Sequence, residues 1–140
     1  TKLREDMNRG FMLVERHISA LGARWGLLSE KAFREGIKAL IEKDFKFKVE
    51  KWVAFDSKGH VYGYPCQIEI DTAIHNEKVI LIEVKAHANA SDIYAFKRKT
   101  ELYEETTGKK PSRLLVVTPY AEENAFQAAK HLNIEIYTKV

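Results

Sequence analysis

Apolar residues recur at Met7, Phe11, Val14, Ile18 and Leu21, in alternating steps of four and three that mark a heptad seam on one helix face. A helix running to about Leu21 and stopped by Gly22 is expected, and its stripe either meets a second copy of the chain or folds onto its own domain. Ser29 is a fair N-cap for a second helix, whose buried stripe is Phe33, Ile37, Leu40 and Ile41. Beyond about Lys43 the period changes. KFKVEKWVAF reads as a strand, Asp56-Ser57-Lys58-Gly59 as a turn with Gly59 left-handed, and CQIEIDTAI and VILIEVKA as two more strands. Ser91 or Asp92 then caps a helix to about Thr107, which Gly108 and Pro111 stop. RLLVVTPY has the uninterrupted apolar run of a strand covered on both faces. A helix from about Glu122 to Leu132 and a short strand, IEIYT, complete the order. The expected fold class is α/β, a central mixed sheet of about four to five strands flanked by helices. Residues 1–21 form an N-terminal helix of coiled-coil type, and residues 22–140 form the domain.

The two middle strands carry the feature that most needs explaining. Cys66, Ile68, Ile70, Thr72 and Ile74 alternate with Gln67, Glu69, Asp71 and Ala73, and Ile80, Ile82, Val84 and Ala86 alternate with Leu81, Glu83, Lys85 and His87. Joining the apolar faces requires paired residue numbers of equal parity, which a loop Asn76-Glu77-Lys78 closed by His75 and Val79 supplies. Asp71 then stands opposite Glu83, and Glu69 opposite Lys85. Like charges directly across a strand pair repel, so Asp71 and Glu83 call for a cation, whereas Glu69 gives Lys85 an ordinary partner. A divalent ion with sparse oxygen ligation, such as Mg²⁺, meets that need.

Asp71, an eleven-residue gap and then Glu83-Val84-Lys85, on a hairpin that follows a helix with an inward Glu30, resembles the PD-(D/E)XK nuclease superfamily, including archaeal Holliday junction resolvases and RecB-like nuclease domains. The similarity in element order covers about residues 29–138, while the motif itself is three residues; Ile70 stands where the family name has Pro. The resemblance implies a restriction-endonuclease-like core. It also implies that Asp71 and Glu83 bind Mg²⁺ (or Mn²⁺), that Lys85 orients or activates the attacking water, and that Glu30 assists the metal. Glu30 lies on the stripe of Phe33 and Ile37, whereas Glu35 is turned about 200° from Phe33 toward solvent. The other reading of Glu30 is a first-turn carboxylate that favours the helix dipole.

Charge adds little, since 23 Lys and Arg against 20 Asp and Glu give +3. Local groups matter more: Lys97, Arg98, Lys109 and Lys110 are the candidate nucleic-acid contacts, with Lys97 bordering the stripe of its helix, and a solvated surface is the competing reading. Trp25, Trp52 and Tyr120 read as core or core-edge aromatics. The single cysteine, Cys66, the lack of a signal peptide and the lack of a spanning apolar run suit a cytoplasmic protein without a membrane. No Cys/His spacing suggests zinc, and no glycine-rich loop suggests nucleotide hydrolysis. The leading expectation is therefore a Mg²⁺-dependent nuclease, endonuclease or exonuclease, acting on nucleic acid, DNA in the first place, as a homodimer. The alternatives are a catalytically inactive nuclease-fold module that binds nucleic acid or a partner protein, and an assembly unit whose main functional part is the N-terminal helix.

Overall fold

The computed structural model describes residues 48–75 and 79–138, together with Glu35. The N-terminal seam, Trp25, Glu30 and the Asn76–Lys78 loop lie outside the described residues. Glu35 is helical and exposed, as its position relative to Phe33 requires.

Strands β1 (Lys48–Asp56), β2 (Cys66–His75), β3 (Val79–Val84), β4 (Arg113–Val117) and β5 (Glu135–Tyr137) form one sheet in chain order. The first three are antiparallel, and β3–β4 and β4–β5 are parallel. Parallel neighbours need a crossover, which helices α1 (Ala90–Thr107) and α2 (Glu123–Leu132) provide. The mixed five-stranded α/β sheet is the one the sequence led us to expect. None of the described helices is long and apolar enough to cross a membrane.

Helix α1 starts slightly earlier than Ser91 or Asp92 suggests. Asn89 is its N-cap and accepts the Asp92 N–H at 3.1 Å, while Asp92 Oδ2 accepts the Asn89 N–H at 3.0 Å, a reciprocal capping box. At the other end Gly108, at φ 72°, donates its N–H to Glu104 O.

Both helices lie on one face of the sheet. Ile93, Phe96 and Tyr103 of α1 and Ala125, Ala128 and Ala129 of α2 share one core cluster with Val79, Leu81, Leu114 and Val116. Each large side chain buried there stabilises the fold by about 1.5–3 kcal/mol. Trp52 meets Tyr103 edge-on at 5.1 Å and packs at the margin of this core, as its core-edge reading had it. All six residues of β3 are buried, so this strand has apolar surroundings on both faces, as β4 does from Leu114 to Val117.

The β2–β3 register is the expected one, from His75↔Val79 through Ala73↔Leu81 to Thr72↔Ile82. The assignment of faces needs correcting in two respects. The strand face that carries Leu81 and Glu83 is not simply the polar one, because the helices cover it and both residues are buried. In β2 the alternation is also interrupted: Glu50 pairs with Ala73 but Trp52 pairs with Ile70, so Asp71 and Thr72 together oppose Lys51. Such a bulge moves residues three apart onto one side, and Ile70 and Ala73 accordingly lie in the same core cluster.

Candidate active site

The bulge re-aims Asp71. Its Oδ2 accepts the Val84 N–H at 2.8 Å, so the side chain takes up a donor just where the β2–β3 pairing stops. Continuing the register by one step would set Asp71 opposite Glu83, and the negative charge of Asp71 acts on Glu83 in the direction that disfavours ionisation. The two carboxylates are thus electrostatic neighbours, one at the bulge in β2 and one near the end of β3.

Glu83 pairs in register with Val116, two residues along from the pair of Leu81 with Leu114, which puts it beneath α1. It is only 4% exposed. There Lys99 Nζ donates to Glu83 Oε1 at 2.7 Å, with side-chain exposures of 10% and 5%. Burial, opposed mainly by the attraction of Lys99, holds the Glu83 carboxyl above its ordinary range. Burial works to lower Lys99, but the charge of Glu83 and the hydrogen bond to it outweigh burial and leave the ammonium above its usual value. Lys99, for which the sequence suggested no role of its own, is therefore the ion-pair partner of Glu83. The signal was present. Lys99 follows Phe96 by three and precedes Tyr103 by four, on the buried stripe of α1.

Lys85 lies just past the end of β3, its N–H bonded to Val117 O at 2.9 Å. Its Nζ stands 3.7 Å from Asp92 Oδ1, too long for a hydrogen bond, so the contact is a loose ion pair. The expected pairing of Lys85 with Glu69 does not form: Glu69 instead takes Lys51 across β1–β2 at 3.0 Å. Beside Lys85, His87 meets Glu122 at 3.1 Å and Tyr120 edge-on at 4.8 Å. Tyr120 is 58% exposed and not a core-edge residue.

The remaining candidates are spread out. Lys97 and Arg98 are half-buried on α1, and Arg98 Nε donates to Val61 O at 2.7 Å. Lys109 and Lys110 are exposed after Gly108, away from the carboxylates in sequence, and Arg113, which extends their basic group, pairs with Glu135.

The donor set suits a hard cation. Both carboxylates offer oxygen only, and a carboxylate oxygen that accepts one hydrogen bond, as Asp71 Oδ2 and Glu83 Oε1 do, has a second lone pair. Among the described residues no group of three or more His, Cys, Asp or Glu side chains that could hold a metal converges, and Asp71 and Glu83 are a pair. Mg²⁺, which keeps several waters, tolerates that count.

Comparison with known proteins bears on the family and the fold. A family model described as PD-(D/E)XK nuclease superfamily matches residues 66–135, and one described as a protein of unknown function, DUF3782, matches residues 1–65. No curated protein sequence matches. The solved structure of EndoMS in apo form is similar in fold, with a TM-score of 0.52 and 18% identity over 79% of this chain and 46% of that one. The present chain thus spans less than half the length of that protein. Nucleases of the matched superfamily generally use divalent metal ions.

Proposed function

We propose a metal-dependent phosphodiesterase site for this chain, which belongs to the PD-(D/E)XK nuclease superfamily. Asp71 and Glu83 hold Mg²⁺ or Mn²⁺, with Glu30 as a further ligand, and DNA is the substrate. The observation that supports this most is the convergence of Asp71 and Glu83 at the β2 bulge and the end of β3, with Lys85 beside them.

When bound, the metal supplies a Lewis acid for a phosphoryl oxygen and lowers the pKa of a water. The protein supplies the rest. Lys99 favours the charged form of Glu83 against the effect of burial and aims the carboxylate. The Val84 N–H fixes the carboxylate plane of Asp71. Lys85, held only loosely by Asp92, turns its ammonium to the attacking water or to the charge that develops on phosphate. Incubating single-stranded, linear duplex and branched DNA with the chain should give cleavage with Mg²⁺ or Mn²⁺ and none with chelator. Metal-independent binding without cleavage of any substrate would favour the second reading, a module that binds without cutting. The Lys99–Glu83 pair lends weight to that second reading, because it already neutralises one ligand internally.

The same proposal includes a homodimer held by the seam from Met7 to Leu21, a stripe that needs cover. Val14→Glu together with Ile18→Glu should reduce the mass in solution to that of one chain. An unchanged mass with the domain folded would assign the seam to an intramolecular contact.

A further inference from the structure

The connection between β1 and β2, residues 57–65, is short and is held by several hydrogen bonds. Gly59, at φ 67°, donates to Asp56 O, and Gly63 donates to Gly59 O at 2.9 Å. A Cβ at Gly59 would meet Tyr64 N at 2.8 Å, so the loop is folded tightly against itself. Asp56 Oδ2 accepts the Val61 N–H at 2.8 Å, a bond that holds the Asp56 carboxyl below its ordinary range. The Val61 side chain, 2% exposed, enters a small cluster with Ile68 and Leu102. From α1, Arg98 Nε donates to Val61 O. Val61 is thus fixed through its N–H, its carbonyl and its side chain.

Past this anchored residue stand two tyrosines turned outward. Tyr62 is 47% and Tyr64 61% exposed, and their rings stack with centroids 6.5 Å apart and planes 30° from parallel. Of the loop residues around them Ser57, Lys58, His60 and Gly63 are small or polar, while Pro65 and, near the end of β1, Phe55 are exposed as well. Arg98, which anchors the loop, is next to Lys99, which contacts Glu83, so one helix turn ties the tyrosines to the candidate site. The Tyr62 hydroxyl is also close enough to act electrostatically on Lys99.

We propose that Tyr62 and Tyr64 form a stacking platform for an unpaired nucleobase of the strand that enters the site. This deepens the phosphodiesterase reading and rests on it, since it names the substrate class: nucleic acid with a single-stranded segment beside the cut. Aromatic side chains stack on any base without reading its sequence, and a platform already ordered before binding avoids the entropy of ordering a loop. Within a duplex each interior base is covered on both faces by its neighbours, and only the two end pairs of a blunt duplex expose a face, so a base outside a helix engages the platform far more readily.

The test uses the full chain with chelator present, so that cleavage plays no part, and an oligonucleotide carrying 2-aminopurine, whose fluorescence falls on stacking. The wild type should quench the probe in a single strand and bind it about tenfold or more tightly than the blunt duplex of the same sequence. Tyr62→Ala with Tyr64→Ala should weaken single-strand binding by about tenfold or more and abolish the quench. Tyr62→Phe with Tyr64→Phe should retain both. Because both side chains are largely exposed, the alanine variant is expected to melt with the wild type, and its melting curve checks that. Unchanged quench and affinity in the alanine variant would overturn the inference, as would equal wild-type binding to single strand and duplex. If the wild type also cleaves with metal, the inference alone fails; if it neither binds nor cleaves any form, the phosphodiesterase reading fails with it.

Discussion

Replacing Lys99 by methionine is expected to lower the free energy of unfolding by about 3–5 kcal/mol, because it leaves the Glu83 carboxylate buried without its partner. On the protein surface the loss of such a pair would be at most about 1 kcal/mol, since water and salt would screen the remaining charge. The side-chain exposures of 10% and 5% decide between these figures. Denaturation by urea at neutral pH measures the difference, and a loss below about 1 kcal/mol would mean that solvent reaches the pair.

Acid should relieve the defect. With Lys99 absent its attraction no longer opposes the effect of burial, so the folded-state pKa of Glu83 moves further above its ordinary 4.5. A carboxyl raised in the folded state favours folding most below the unfolded value and loses that contribution as pH rises through the folded value. The deficit of the variant should therefore shrink as the pH is lowered from about 7 toward about 4. Lys99→Met combined with Glu83→Gln, which removes the charge as well, should recover most of the loss at neutral pH.

How much of this was legible in the sequence depended on whether a local rule governed the feature. The β2–β3 register followed from parity alone, because a slip of one residue would bury every polar side chain of a strand, and His75↔Val79 is the pair that results. The run from Leu114 to Val117 announced a strand buried on both faces. The bulge at Asp71 was invisible, since an inserted residue leaves the alternation of Ile68, Ile70, Thr72 and Ile74 intact on paper while bringing Ala73 to the core cluster of Ile70. The burial of Leu81 and Glu83 was not legible for a related reason: strand periodicity separates two faces but does not say whether helices cover the second. Lys99 was lost in a basic run, where its position between Phe96 and Tyr103 outweighs its charge. Asn89 lost the N-cap to Ser91 or Asp92 because an acidic N3 residue and a cap look alike without the reciprocal bonds.

Asp71→Asn and Lys85→Ala should separate metal binding from chemistry. The carboxamide oxygen that Asp71→Asn introduces can still accept the Val84 N–H, and the variant no longer sets a second negative charge against Glu83, so stability without metal should be unchanged or slightly higher. The rise in melting temperature that Mg²⁺ gives by binding the folded state should vanish with it. Asp71→Ala is the contrasting case: it strands the Val84 N–H, and about 1–3 kcal/mol of stability should go with the acceptor. Lys85 makes only a 3.7 Å contact with Asp92 at a partly exposed position, so Lys85→Ala should leave both the fold and the metal-induced rise in place. Its effect belongs to the transition state, where an ammonium near the phosphate meets charge that the ground state lacks, and cleavage should fall by about 10²–10³-fold. A Lys85→Ala protein that cleaves at the wild-type rate would move that role to Lys99, the other cation at Glu83. A wild type whose melting temperature ignores both Mg²⁺ and Mn²⁺ would instead leave Lys99 as the counterion of Glu83, and the fold as a module that binds without cutting.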